Sequence, residues 1–132
     1  MRDYKLYLDD IIEAANRVER YTEKLTLAKL KKNDLIVDGV VRNLEIIGEA
    51  AKNIPQTVKD KYPAIEWKKI AGLRDILAHE YFGIDLEILW DIIENKLPTL
   101  KKEISRLAKK EFSTHSKSFK SAKSALKHLH SL

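Results

Sequence analysis

Apolar residues recur at alternating steps of three and four along most of the first 107 positions, and no segment alternates convincingly with period two. That spacing draws one apolar stripe down a helix, so it commits the chain to packed helices rather than sheets. The first stripe is Tyr4, Tyr7, Ile11, Ala14, Val18, Tyr21 and Leu25. The second is Val37, Val40, Leu44, Ile47, Ala51 and Ile54, with Asn33 or Asp34 placed to cap its helix and Pro55 to stop it. Two such stripes joined by a short connection predict an antiparallel pair. A third, shorter helix is expected from Glu66 to about Ala78, carrying Trp67, Ile70, Leu73 and Leu77. Gly83 interrupts the pattern, and Asp85 is placed to open a fourth helix along Leu86, Leu89, Ile93, Leu97, Leu100, Ile104 and Leu107. Pro98 falls inside that stripe, where it removes a backbone donor and crowds the preceding turn, so a kink is expected there. The fold class is all-α, a bundle of about four main helices. Trp67 and Trp90 are expected in its core.

Composition narrows the functional classes. The chain has 132 residues, and this length suits a single core. With no cysteine, disulfides, thiolate zinc sites and a cysteine nucleophile are excluded. No apolar run reaches the roughly 18 residues that cross a bilayer, and MRDYKLYLDD is charged from its second residue, so a cytoplasmic protein without membrane association is expected. Residues 1–108 hold 19 Lys/Arg against 19 Asp/Glu, whereas the last 24 hold six Lys against Glu111 alone and supply the whole +5. We therefore divide the chain into a helical-bundle domain, 1–110, and a basic Ser/Lys-rich extension, 111–132. Phe119, Ala122, Leu126 and Leu129 give the extension a thin apolar face. It reads either as a basic amphipathic helix or as a segment that folds only on a partner. His115, His128 and His130 are loosely spaced and lack carboxylate company, so no metal site and no cofactor is expected.

The sharpest chemical feature is Arg74-Asp75-Ile76-Leu77-Ala78-His79-Glu80-Tyr81. Arginine offers a permanently charged fork to phosphate oxygens, and histidine exchanges protons near neutral pH. The two suffice for RNA cleavage without a metal: a base takes the 2′-hydroxyl proton, the oxygen attacks the adjacent phosphorus, and a cation stabilises the charge that develops. Five residues turn an ideal helix through about 500°, leaving Arg74 and His79 roughly 140° apart. The helix can end near Ala78, and a second copy of the chain can complete the site; the two are compatible. An Arg–His pair at this spacing also arises readily by chance, and a histidine near a helix end commonly caps or packs. Gly48, inside the second helix, costs about 1 kcal/mol against alanine, which points to close approach of another backbone. Arg42 and Glu49 flank it and are assigned structural or interface roles.

The wording around these residues is more specific than the pair itself. VRNLEIIGEAAK (41–52) and WKKIAGLRDILAHEYFGID (67–85) resemble the HepT-like branch of the HEPN superfamily, over roughly residues 3–110. The resemblance implies a HEPN-type bundle that forms a homodimer, and a metal-independent endoribonuclease toxin whose two Arg-x4–6-His motifs meet in a cleft. Arg74 and His79 fall on that motif as catalytic residues, and Asp75 falls on the polar position that supports them, where asparagine is common in the family. It further implies a minimal nucleotidyltransferase antitoxin as partner, in a hetero-oligomer larger than the dimer, with Tyr81 of Arg-x4-His-x-Tyr as the acceptor of inhibitory AMP. The basic extension departs from the family pattern, which ends near residue 110. A non-catalytic nucleotide-binding or adaptor subunit of a nucleotidyltransferase is the rival reading.

Overall fold

The computed structural model describes residues 3–79 and 85–112, the side chains of 74–79 excepted. Its elements are α1 (Tyr4–Thr22), α2 (Leu27–Lys31), α3 (Asp34–Lys52), α4 (Gln56–Lys61), α5 (Trp67–His79), α6 (Leu86–Asp91), a π-helical turn (Ile92–Lys96) and α7 (Leu97–Phe112). No strand occurs among the described residues, and the all-α expectation holds. The expected four-helix scheme reappears as α1, α3, α5 and the α6–α7 run. The basic extension beyond Phe112 lies outside the described residues.

Local chemistry sets the helix starts. Asp3 accepts from the Lys5 amide at 3.2 Å, Asn33 from the Ile36 amide at 3.0 Å, and Asp85 from the Glu87 amide at 2.9 Å. Each cap satisfies an amide that has no partner within its helix. α3 ends at Lys52, and Pro55 starts the short α4.

α1 and α3 pair along their lengths and are antiparallel. Tyr21 lies against Gly39, Arg17 reaches Asn43, and Tyr7 shares a groove with Asn53. The buried face of α1 is Leu8, Ile11, Ala14, Ala15, Val18 and Thr22, so Leu8 enters the core whereas Tyr21, expected there, stands 39% exposed. Its ring lies over Gly39, where an added Cβ would come within 3.3 Å of it. Val40, Leu44, Ile47 and Ala51 answer from α3 and are buried. Burying each valine, leucine or isoleucine side chain contributes about 1.5–3 kcal/mol. α5 packs on the other flank of α3, and α7 packs on α1.

Pro98 acts through the turn before it. The Leu97 amide donates to the Ile92 carbonyl five residues back, so the helix widens into a π turn immediately ahead of the proline. Beyond it Leu100, Ile104 and Leu107 continue the buried stripe.

Candidate functional site

α5 carries the motif, and its start is firmly held. Trp67, its first residue, is 8% exposed, and its indole Nε1 donates to the Tyr62 carbonyl at 3.1 Å. Ile70 is buried and Leu73 half-buried, which seats the helix against the core. Trp67 therefore belongs to the core, as expected, and Trp90 packs against the core partly buried. In the first turn Lys69 Nζ lies 2.6 Å from Glu66 Oε2. The hydrogen bond and charge of Lys69 hold the Glu66 carboxyl below the usual carboxylate range, and Glu66 in turn raises Lys69.

Arg74, Asp75 and His79 all lie on α5, whose helical backbone runs through Arg74 to His79. The two positions therefore lie roughly 140° apart around the helix axis. Tyr81 lies outside the described residues. At Gly72, two positions before Arg74, an added Cβ meets no atom of the described residues within 4 Å.

The three α3 candidates occupy two environments. Gly48 is buried on the helix that packs against α5. Arg42 and Glu49 are exposed and line one groove of about 310 Å³ between α1 and α3, with Tyr7, Asp10 and Glu45. Arg42 lies 3.5 Å from Glu45 on its own helix. Among the described residues no group of three or more His, Cys, Asp or Glu is arranged to hold a metal ion, and no helix is long and apolar enough to cross a membrane.

Two clusters escaped the sequence reading. Arg17 Nε donates to Asn43 Oδ1 at 2.7 Å, and Asn43 Nδ2 donates to the Gly39 carbonyl at 2.8 Å, which satisfies a buried amide between α1 and α3. A polar Asn43 beside Leu44 in an otherwise apolar face was the available signal. At the other end, Glu111 receives the hydroxyls of Tyr62 at 3.1 Å and Tyr4 at 3.4 Å, with Lys61 Nζ 3.5 Å away. Burial and the Glu111 carboxylate raise both tyrosines above their ordinary value.

Residues 11–107 match the family model described as Ribonuclease HepT-like, and the chain belongs to that family. It is 44% identical over 103 residues to "Putative RNase MJ1380" of Methanocaldococcus jannaschii, covering 78% of this chain and 94% of that protein. It is 40% identical over 108 residues to "Probable ribonuclease HepT" of Thermococcus cleftensis, covering 82% of this chain and 98% of that one. A third relative, "Gamma-glutamylcyclotransferase and putative RNase MJ0434" of M. jannaschii, is 41% identical over 106 residues, 80% of this chain, and this chain spans about half of its length. No solved structure matches the chain. Family and relatives together support endoribonuclease activity.

Proposed function

We propose that the chain is the toxin of a toxin–antitoxin pair, a homodimeric, metal-independent endoribonuclease acting on cellular RNA in the cytoplasm. His79 takes the 2′-hydroxyl proton, the freed oxygen attacks the neighbouring phosphorus, and the 5′ oxygen leaves with a proton returned by an imidazole. A cyclic phosphate results. Arg74 stabilises the charge on the phosphoryl oxygens, and Asp75 orients the pair. A minimal nucleotidyltransferase antitoxin silences the site by placing AMP on Tyr81. The added phosphate repels the RNA backbone and fills the cleft.

The observation that carries this reading, beside family membership, is the course of α5. A helix running through both positions holds Arg74 and His79 on different faces. A second copy of the same helix supplies the missing partner for each, so the site calls for a dimer.

The test is cleavage of total cellular RNA by the purified full chain in EDTA, beside His79→Ala and Arg74→Ala. Loss of discrete cleavage in both variants, with folding and dimerisation intact, is expected. Equal background from all three proteins, once intact mass has excluded an AMP adduct, overturns the nuclease and favours the adaptor reading.

A further inference from the structure

One face of α7 concentrates positive charge that the rest of the domain leaves unanswered. Lys102, Arg106 and Lys109 are exposed and at helical spacing, and among the described residues none has an ion-pair partner. They border a shallow groove of about 650 Å³, together with Lys101, Ser105 and Pro98. The single carboxylate lining it, Glu19, is already engaged by Lys101 at 2.9 Å. This imbalance is local, because residues 1–108 as a whole are neutral.

Lys102 to Lys109 spans about 10.5 Å along the helix axis. That is close to the Debye length of about 10 Å at 0.1 M salt, so the three cations act on an approaching polyanion as one patch. It is also about three nucleotide steps, at about 3.4 Å per step in a stacked strand. The groove offers no exposed aromatic or long aliphatic anchor of the kind that dominates protein–protein interfaces; Pro98 is its sole apolar lining residue. A groove walled by cations and their aliphatic stems, with no aromatic anchor, fits a phosphate backbone better than a folded protein surface.

We infer that the α7 face is an RNA-backbone track, separate from the α5 motif, that holds substrate by salt-sensitive, sequence-independent phosphate contacts. The inference rests on the endoribonuclease reading above.

The experiment is binding of a 2′-O-methyl single-stranded RNA oligomer, which offers no 2′-hydroxyl to the nuclease, by the full chain across a KCl series. Three neutralised phosphate contacts should reduce the slope of log affinity against log salt by about 2, at about 0.7 per contact on single strands. The variant Lys102→Gln/Arg106→Gln/Lys109→Gln is expected to show that loss. A second variant with the same charge change at exposed positions elsewhere, Arg20→Gln/Lys29→Gln/Lys32→Gln, should keep the original slope. An unchanged slope in the α7 variant, or equal losses in both, overturns the track; an unchanged slope would leave the face to an acidic protein surface. Binding of the oligomer without cleavage of unmodified RNA removes the nuclease reading and leaves the track standing. No RNA binding by the original chain overturns both.

Discussion

The Tyr62 hydroxyl donates to Glu111 at 3.1 Å while the Tyr62 carbonyl accepts from the Trp67 indole at 3.1 Å. One residue thus ties the start of the motif-bearing α5 to the end of α7, 49 positions away in sequence. Glu111 collects a second hydroxyl, from Tyr4, whose ring packs 5.1 Å from that of Phe112. The last turn of α7 is therefore joined to both α1 and the approach to α5.

Removing the hydroxyl with Tyr62→Phe should cost about 1 kcal/mol, less than the roughly 1.5–3 kcal/mol of a hydrogen bond to a charged acceptor, since the residue is only half-buried. The pH dependence has a definite sign. Burial and Glu111 favour the protonated phenol, so the folded state holds its proton more tightly than the unfolded chain does. The resulting stability is fully present below the ordinary tyrosine value of about 10 and is lost as pH rises through the folded value. Urea unfolding from pH 8 to 11 should show the difference between Tyr62→Phe and the original chain shrinking at the alkaline end. A constant difference would mean the hydroxyl is not coupled to Glu111.

Asn43 should prove costly to truncate despite its polarity. Asn43→Ala removes the acceptor of Arg17 Nε and the donor to the Gly39 carbonyl inside the α1–α3 interface, and the loss should be about 1–3 kcal/mol. A double-mutant cycle with Arg17→Ala should return a coupling of at least about 0.5 kcal/mol, as groups in direct contact do. Additive losses would show that Asn43 acts through Gly39 alone.

These two clusters also mark where the sequence was legible and where it was not. The long helices were readable because their stripes repeat every three or four residues, and Asn33 and Asp85 announce helix starts through local chemistry. α2 and α4, five and six residues long, are too short to display a period. Pro98 signalled a disturbance, but only the backbone shows that it is absorbed as a π turn from Ile92 to Lys96. Glu111 looked like the lone acid of a basic tail; its bond to Tyr4 joins residues 107 positions apart, and no local pattern encodes that. The Arg74–His79 spacing was visible at once. The structure adds that both positions lie on α5.

Gly72→Ala should stabilise the chain. The glycine lies within α5, where alanine is favoured by about 1 kcal/mol, and the added methyl meets no atom of the described residues within 4 Å. Thermal unfolding should therefore shift upward by several degrees for a domain of this size. If RNA cleavage falls in the same stabilised variant, the bare face beside Arg74 is one that substrate or a second copy approaches closely. An unchanged rate would place that face outside the working surface.

Asp75 separates two electrostatic roles that predict opposite signs. Asp75 follows Arg74 on α5; in the proposed site its carboxylate orients the pair by hydrogen bonding, while its charge lowers the positive potential that an RNA phosphate meets. Asp75→Asn retains an acceptor for the first role and deletes the charge responsible for the second. At the proposed site, removing one negative charge from beside a solvated phosphate should favour the transition state by about 1 kcal/mol, or roughly fivefold in rate. Asp75→Ala removes the acceptor as well and should cleave more slowly than Asp75→Asn. Single-turnover cleavage of one RNA oligomer by the three proteins, at matched folding and dimerisation, reads the order directly. An Asp75→Asn rate below that of the original chain would show that the carboxylate's charge, through its hold on Arg74 or His79, matters more than its repulsion of the phosphate.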